Sequence, residues 1–294
     1  MTRGKVMFDK SLLKKLYIPS SDSHKGQNGK LMVIGGSHLF HAAALWALQI
    51  ASKIVDMVFF SSVVENNEIV QKAKEEFRNG IVVPRGEIEH YIGESDCILI
   101  GPGLMRTERR ITNYELRITN LDEITKLKDE GEQTYFLTKY LLEKYPQKKW
   151  VVDGGSLQMI TPSMLPKGSV ITPHTREFAK LFGVEANEET VAAMAKQYDI
   201  IIVAKSEKDI VCSKDACMTI GGGNAGMTKG GTGDVLAGLI AALGCKNDLW
   251  LAAVAGSYFN KKAGESLFEK VGYYFNASDL ANEIPKVMKK ELHE

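Results

Sequence analysis

A glycine-rich loop that leads directly into an apolar helix is the strongest signal in this chain of 294 residues. Residues 221–243 read GGGNAGMTKGGTGDVLAGLIAAL, and eight of the 27 glycines lie within residues 221–238. This concentration of backbone freedom exceeds what a simple turn requires. Gly231, Thr232 and Gly233 would place unpaired N–H groups at the start of the helix, where the helix dipole also favours an anion. The loop therefore predicts phosphate binding.

Asp234 follows the last glycine of this loop, and it is the candidate catalytic group. Because Lys229 precedes the final glycines, the loop does not match the Walker A pattern of P-loop proteins. We expect the field of the helix to keep the Asp234 carboxylate ionised. A carboxylate beside a phosphate donor can accept the proton of an attacking hydroxyl, which implies phosphoryl transfer. The alternative is that Asp234 only caps the helix after a flexible turn.

Short β-rich runs alternate with longer helical patterns along the rest of the chain. This alternation is typical of βα units, and it predicts an α/β fold with a mainly parallel central sheet and helices on both faces. No repeat or linker divides the sequence, so we expect a single domain over residues 1–294. Strands are predicted at residues 31–36, 57–61, 97–100, 150–152, 170–172 and 200–204, and helices at 40–55, 249–259 and 278–292.

Residues 106–149 interrupt this rhythm, because the segment is dense in charge and poor in strand signals. We interpret it as a charged helical insertion whose solvated helices cover one edge of the sheet. The charged residues of the segment include Arg109, Arg110, Glu115, Arg117, Asp122, Glu123, Lys126, Lys128 and Asp129.

The overall composition excludes several classes of partner. The 37 Lys and Arg residues nearly balance the 36 Asp and Glu residues, so the net charge is +1 and no global field draws in nucleic acid or an anionic membrane. The N-terminal residues lack a leader pattern, and no apolar run approaches the length of a membrane span. We therefore expect a cytoplasmic location. The four cysteines, at positions 97, 212, 217 and 245, match no metal spacing and are expected to be buried reduced thiols.

Six motifs in order along the chain carry a resemblance to a known family. Residues 224–234, NAGMTKGGTGD, are similar to the signature of the ADP/ATP-dependent NAD(P)H-hydrate dehydratases, which belong to the ribokinase-like superfamily. The chain resembles the stand-alone dehydratase, because the epimerase domain of some relatives would not fit before Ser23. The other matching segments are Ser23-His24-Lys25-Gly26 with Gly29, Val33-Ile34-Gly35-Gly36-Ser37, Gly101-Pro102-Gly103-Leu104, Val152-Asp153-Gly154-Gly155-Ser156-Leu157, and Thr172-Pro173-His174 with Glu177-Phe178.

The resemblance implies a ribokinase-like fold and a repair reaction on a damaged cofactor. Hydrated NADH or NADPH (NADHX or NADPHX) would be phosphorylated on its ring hydroxyl by ADP or ATP with Mg²⁺, and loss of phosphate would restore NADH or NADPH. The resemblance also implies a homo-oligomer, often a tetramer. It assigns catalysis to Asp234 with the amides of Gly231, Thr232 and Gly233; contact with the hydrate to Ala43, Gly103, His174 and Asp234; and contact with the nucleotide to Lys205, Ser206, Glu207, Lys208, Asp209 and Gly233.

Several of these residues also have simpler interpretations. Gly103 could simply close a turn, although its place after a strand suits a ligand site. His174 could be a surface or capping residue, and Lys205 could simply be a solvent-exposed charge at the end of a strand. His38 and His41 are not expected to bind zinc, and no protein metal site is predicted, because no third ligand is suggested nearby. For Asp153, a buried turn cap and an indirect role at Mg²⁺ both stay open.

The chain departs from the family pattern at four places, of which the mildest is Asp153-Gly154-Gly155-Ser156-Leu157-Gln158 for the family's Asp-Ala-x-Ala-Leu-Asn. Ala42 stands where the family has a glycine, and residues 54–56 replace a Gly-Ala-Gly, so we expect the substrate pocket to differ in shape. The family's Lys-Gly-x-x-Thr is Lys205-Ser206-Glu207-Lys208-Asp209 here. We expect Asp209 to add negative charge close to the nucleotide phosphates or ribose.

Two other functions compete with the dehydratase. A ribokinase-like kinase for a hydroxymethylpyrimidine or hydroxyethylthiazole alcohol would use the same anion site and base. A non-catalytic nucleotide-binding protein would keep the loops without turnover. The segments around Ser37, Gly103 and His174 favour the dehydratase over the kinase.

Overall fold

The computed structural model describes residues 8–63, 74, 75, 78–108, 118 and 120–293, which contain nine strands and ten α-helices. The strands are β1 Lys30–Ile34, β2 Met57–Ser61, β3 Ile81–Val82, β4 Cys97–Ile100, β5 Lys149–Val152, β6 Val170–Ile171, β7 Ile201–Ala204, β8 Asp209–Cys212 and β9 Cys217–Ile220. The helices are α1 His41–Ala51, α2 Ile88–Glu94, α3 Leu121–Thr125, α4 Glu130–Lys144, α5 Gly154–Met159, α6 Thr175–Phe182, α7 Glu188–Tyr198, α8 Thr232–Lys246, α9 Leu249–Val271 and α10 Ala277–His293.

The nine strands form one mixed sheet in the order β3-β2-β1-β4-β5-β6-β7-β8-β9. Strands β1 to β7 run parallel to one another, which confirms the predicted mainly parallel sheet, and β8 pairs with β7 in the antiparallel direction. The last two strands, β8 and β9, form an antiparallel hairpin that the sequence reading did not include. Both are short and one contains Asp209, so neither shows the long apolar run typical of a buried parallel strand.

The sheet is buried on both faces, because alternate residues of each strand enter opposite cores. In β1, Leu31 and Val33 pack with helices α1, α8, α9 and α10. Met32 and Ile34 point the other way and pack with the core that helices α2 to α7 cover. This arrangement confirms the predicted helices on both faces, and continuous apolar strands are what such a sheet requires.

Most predicted element bounds need small corrections. The first helix runs from His41 to Ala51 and stops short of residue 55, while the helix that begins at Leu249 extends to Val271. Helix α9 is longer than expected because polar residues continue it after the apolar run, the first two of which, Asn260 and Lys261, are buried. None of the helices in the described ranges is long and apolar enough to cross a membrane.

The charged insertion lies elsewhere than expected. Its helix α4 follows β4 and precedes β5, which are central strands, so the prediction of a cover over one sheet edge was wrong. Phe136, Leu137 and Leu141 of α4 are buried in the core beside Trp150. Charge density concealed this apolar stripe, because a few residues at helical spacing suffice to seat a helix. Four residues of the predicted segment, Arg109, Arg110, Glu115 and Arg117, lie outside the described residues.

The cysteines divide into two kinds. Cys97 and Cys245 are buried free thiols, as predicted. Cys212 and Cys217 instead form a disulfide across the β8–β9 hairpin, so the prediction of four reduced thiols was wrong for this pair. The physical reason is the antiparallel register, which places the two residues directly opposite each other with their Cα atoms 4.1 Å apart.

Candidate active site

A cavity of about 1000 Å³ opens where the carboxyl ends of the central strands meet the glycine loop. Asp153, His174 and Lys205 follow β5, β6 and β7 and lie on its wall together with Asp234. A backbone bridge pairs His174 with Lys205, which continues the parallel register beyond the strands. The structure thus brings together residues that are far apart in sequence, at the edge where α/β sheets usually bind ligands.

The glycine loop forms the amino end of α8. The residue at the N-cap position is Gly231, not Asp234, and no side chain of the described residues caps this helix end. Gly231 has a φ of 95°, and a Cβ at this position would lie 2.3 Å from the Trp46 ring, so only glycine fits. The first amides of α8 therefore face the cavity without a protein acceptor on a side chain, as an anion site requires.

Asp234 lies in the first turn of α8 and has an unusual proton affinity. Burial, and then the negative charge of Asp153, raise its pKa to about 7, against the opposing effects of Lys205 and the Asp234 backbone N–H. The expectation that the helix field keeps this carboxylate fully ionised was therefore wrong, because burial is the stronger effect. A pKa near neutrality is the value that suits a general base.

Lys205 and Asp153 form an ion pair on the cavity wall next to the start of α8. The Lys205 ammonium lies 3.0 Å from Asp153 Oδ1, which also accepts a 2.6 Å hydrogen bond from Thr172. Burial lowers the pKa of Lys205, but Asp153 and Glu177 outweigh it, so the pKa is raised and the ammonium stays charged. Of the two interpretations left open for Asp153, the turn cap fails, because its carboxylate binds Thr172 and Lys205 instead.

His174 is both a helix cap and a residue of the cavity wall. Its Nδ1 accepts a hydrogen bond from the Glu177 N–H, and the Glu177 carboxylate accepts one from the His174 N–H in return. The side chain is half exposed and lines the cavity. Gln158 donates to the other Glu177 oxygen at 2.9 Å, which fixes the carboxylate. The capping interpretation is therefore right, and the ring stays half exposed to the cavity with its Nε2 3.5 Å from the Glu177 carboxylate.

Residues 205–209, which we call the Lys205 loop, line the same cavity. Asp209 at its end is buried, and its carboxylate faces Ser206, Ser257 and Lys261. The Lys261 ammonium offsets the negative charge that Asp209 was expected to add, and its proximity to bound phosphates stays a prediction. The sequence could not show this, because Lys261 is more than fifty positions away.

Ala43 and Gly103 meet next to the cavity rather than on the wall that the described residues form. Gly103 has a φ of 69°, and a Cβ there would lie 2.2 Å from the Phe40 carbonyl oxygen and 3.1 Å from the Ala43 methyl group. The connection to the cavity runs through Gly101, whose carbonyl oxygen accepts a 3.1 Å hydrogen bond from the Gly155 N–H, next to the wall residue Gly154. Ala43 and Gly103 thus form a separate surface at the ends of β1 and β4.

The structure also shows what contacts the residues that depart from the family pattern. Asp56 accepts hydrogen bonds from the N–H groups of Gly26 and Asn28, so it fastens the preceding loop. Ala42 lies in the first turn of α1 beside Ala43. His38 does not pair with His41, since its Nδ1 lies 2.9 Å from Glu130. No cluster of three or more potential metal ligands occurs in the described ranges.

Asn224, Asn260 and Lys261 are wall residues that the sequence reading did not select. Asn224 accepts from the Gly226 N–H and donates to the Gly264 carbonyl, which anchors the glycine loop to α9. Asn260 is buried, and its Oδ1 has no hydrogen-bond partner within the described part of the chain. The available signal was the Asn260-Lys261 pair, two polar residues that directly follow the apolar run of α9.

Comparisons with known proteins agree with this geometry. Residues 31–286 match the family described as NAD(P)H-hydrate dehydratase. A bifunctional NAD(P)H-hydrate repair enzyme of Methanocaldococcus jannaschii is 34% identical over 94% of this chain and 51% of the relative, so the chain spans about half the length of that protein. An ADP-dependent (S)-NAD(P)H-hydrate dehydratase of Nitrosopumilus maritimus is 30% identical, over 94% of this chain and 95% of the relative.

Solved structures show the same fold. A ribokinase-like superfamily protein of Enterococcus faecalis has a TM-score of 0.80 and 22% identity, and the match covers 100% of this chain and 99% of that one. The ADP/ATP-dependent NAD(P)H-hydrate dehydratase of Bacillus subtilis, co-crystallised with ATP and Mg²⁺, has a TM-score of 0.78 and 21% identity, with 98% and 99% covered. The sheet and its covering helices therefore have the same fold as these two proteins.

Proposed function

This chain belongs to the NAD(P)H-hydrate dehydratase family, and on that premise we propose that it uses ADP or ATP to convert NADHX and NADPHX back to NADH and NADPH. The observation that carries the proposal is Asp234, a carboxylate with a pKa of about 7 in the first turn of α8, at a helix start that no side chain caps. A proton acceptor beside an anion site is the minimum equipment for transfer of a phosphoryl group to a hydroxyl.

The cavity fits a nucleotide. Its volume of about 1000 Å³ is ample for one, and the amides of Gly231, Thr232 and Gly233 can stabilise charge on the transferring phosphoryl group. Lys205 adds a fixed positive charge, and its Nζ would lie 3.1 Å from a Cβ placed on Gly233. The nucleotide would be held by Gly233 and by Lys205, Ser206, Glu207, Lys208 and Asp209. Asp209 would act only through its contacts inside the protein.

Mg²⁺ would enter with the nucleotide. This ion binds mainly phosphate oxygens and water, and it needs only one or two carboxylates from the protein. Asp153 and Asp234 are the wall carboxylates that could supply such an oxygen, directly or through water. When bound, the ion would neutralise phosphate charge.

In the proposed reaction, Asp234 accepts the proton of the ring hydroxyl while the hydroxyl oxygen attacks the terminal phosphorus. The bond from that phosphorus to the nucleotide breaks, and the helix amides and Lys205 neutralise the charge that develops. Phosphate then leaves with the former hydroxyl oxygen, and loss of a ring proton restores the dihydronicotinamide. His174, Ala43 and Gly103 would orient the ring, His174 from the cavity wall and the other two from the adjoining surface.

The test is to incubate the protein with hydrated cofactor, Mg²⁺ and either nucleotide, and to follow the near-ultraviolet absorbance of reduced nicotinamide. We expect the absorbance to return with at least one nucleotide and to depend on it. No return with either nucleotide would refute the proposal. A stable phosphorylated alcohol formed from a pyrimidine or thiazole alcohol would identify a kinase instead.

We further propose that the protein is a cytoplasmic homo-oligomer, a tetramer as the family resemblance implies. An exposed apolar patch at the end of α9, formed by Phe268, Val271, Tyr273 and Tyr274, supports self-association. Tyr274 is 91% exposed. Sedimentation of the wild-type protein should show an assembly larger than one chain, and a monomer at micromolar concentration would contradict this.

A further inference from the structure

The Lys205 loop is attached to α9 by a buried ion pair that the phosphoryl-transfer chemistry does not itself require. We propose that Asp209 and Lys261 are positioning residues, which hold the loop in the conformation that receives the nucleotide; this inference rests on the proposed function. Neither residue would touch the reacting atoms. Their effect would be on nucleotide affinity, because the base Asp234 lies on a different element, α8.

Asp209 contributes three contacts to the attachment. Its Oδ1 accepts a 3.0 Å hydrogen bond from the Ser206 N–H and lies 3.2 Å from the Lys261 ammonium. Its Oδ2 accepts a 2.7 Å hydrogen bond from the Ser257 hydroxyl, one turn earlier on α9. The carboxylate therefore joins the two ends of the Lys205 loop to each other and to the helix.

Lys261 completes the attachment from the helix side. Besides Asp209, its ammonium donates to the carbonyl oxygens of Ser206 at 2.9 Å and Glu207 at 3.0 Å. The side chains of Lys261 and Asp209 are only 7% and 5% exposed. All three ammonium donors are thus matched by acceptors, which is the condition under which a buried charge is tolerated.

These bonds decide what the loop offers to an anion. The carbonyl oxygens of Ser206 and Glu207 are engaged by a positive charge, and the Lys208 carbonyl oxygen accepts from the Ser206 hydroxyl. The negative ends of three consecutive peptide dipoles are therefore neutralised within the protein. A polyphosphate that approaches this wall would meet less repulsion than an unattached loop would present.

The position of the loop is fixed by a rigid element. Helix α9 has 23 residues, most of which are buried, and Ser257 and Lys261 lie one turn apart on it. Loss of the attachment would leave the loop free to adopt conformations that do not bind, and ordering it would then reduce the affinity. Only the two ends of the loop would then be held, Lys205 by its ion pair with Asp153 and its backbone bridge to His174, and Asp209 by the pairing of β8.

The experiment measures ADP and ATP affinity by titration calorimetry in the presence of Mg²⁺, and the kinetic constants with hydrated cofactor. The variants are Lys261→Met, Asp209→Asn and the double variant Lys261→Met/Asp209→Asn, which leaves no unpaired buried charge. Lys262→Met is the matched control, because this neighbouring lysine pairs with Glu265 and not with the loop. Circular dichroism and thermal melts verify that each variant is folded.

We expect the double variant to bind nucleotide at least about tenfold more weakly and to show a raised nucleotide KM, with kcat changed by less than about threefold. The control should match the wild-type protein. Unchanged nucleotide affinity in the folded double variant, or a fall in kcat alone, would overturn the inference. If the wild-type protein binds nucleotide but does not restore the cofactor, the proposed dehydratase function is refuted. The nucleotide affinity of the double variant, measured in the same titration, would then still decide this inference. Wild-type protein that binds neither nucleotide would overturn both.

Discussion

The glycine loop, residues 221–234, and the Lys205 loop line one cavity but obtain their shapes in different ways. The glycine loop depends on local backbone conformation, with Gly231 in the left-handed region at the start of α8. The Lys205 loop has no glycine, and side chains of α9 hold it. One of them, Lys261, donates to the Ser206 carbonyl oxygen from fifty-five positions further along the chain. The comparison shows that glycine backbone conformation mainly shapes one wall, although Asn224 also anchors it to α9, and that side chains of a distant helix mainly shape the other.

This difference has a consequence for substitution. Where backbone conformation makes the site, one methyl group is enough to damage it, because no neighbour can compensate. Where a buried ion pair makes it, removal of one partner is worse than removal of both. The following predictions test whether the two walls respond in these different ways.

The largest effect is expected at Asp234, on the glycine side. Asp234→Asn should lower kcat by about 10² to 10⁴-fold, because the amide cannot accept the proton of the substrate hydroxyl. Nucleotide affinity should be kept, and steady-state kinetics with calorimetry would measure both. Turnover within about threefold of wild type would exclude Asp234 as the base; lost turnover with retained binding would also distinguish an enzyme from a pure nucleotide-binding protein.

The next effect concerns Gly231. Gly231→Ala should destabilise the fold by about 2 to 4 kcal/mol and weaken nucleotide binding, since the new methyl group collides with Trp46 and the left-handed backbone is strained. Gly230→Ala is the matched control, because a Cβ there meets no described atom within 4 Å. Urea unfolding should show a lower free energy of unfolding for Gly231→Ala than for Gly230→Ala. Equal stability of the two variants would show that the backbone conformation of Gly231 does not limit the turn.

The pH profile tests the electrostatic link between the walls. Because Asp234 acts in its deprotonated form and has a pKa of about 7, kcat/KM should fall as the pH is lowered through neutrality. Asp153→Asn removes a negative charge that raises this pKa, so the acid limb should move to lower pH by about one unit.

Thr172→Val serves as the control for Asp153→Asn. It removes the hydrogen bond to Asp153 without a change of charge, and its acid limb should coincide with that of the wild-type protein. A limb that stays in place in Asp153→Asn, or moves to higher pH, would contradict the assignment of Asp234 as the titrating base.

The smallest effect is expected in the hairpin that connects the two walls. Cys212→Ser/Cys217→Ser removes the cross-strand disulfide, and the short enclosed loop limits the loss of stability to about 2 kcal/mol. Nucleotide KM should stay within about twofold of the wild-type value, because each wall has its own support. A large rise in KM would show that the hairpin itself sets the distance between the walls.

The sequence predicted most of the fold for a physical reason. Strands buried on both faces are continuous apolar runs, so β1, β2 and β4 to β7 were found within one or two residues. The β8–β9 hairpin was missed because Asp209 and the half-buried Cys217 break that pattern. The apolar stripe of α4 was hidden by charge, and only the three-dimensional core shows that Phe136 belongs to it.

The site was predictable where function depends on local sequence. The uncapped start of α8 follows from the glycines around Thr232, and His174 follows from its place after a strand. The partners of Asp209 and the raised pKa of Asp234 were not predictable, because both depend on residues brought close by the fold, Lys261 and Asp153. The roles of Ala43 and Gly103 stay predictions, and their mutual contact shows that they would act together.

The contact between Trp46 and Gly231 also sets an order of events in folding. Trp46 on α1 donates a hydrogen bond to Ser278 on α10, which lies 232 positions away. The Trp46 ring also packs against the turn at Gly231, which lies between these two residues in the sequence. Contacts over such separations form late, because the intervening chain must first be organised. The anion site at the start of α8 is therefore among the last parts to assemble, and recovery of nucleotide binding during refolding should lag behind recovery of helical secondary structure.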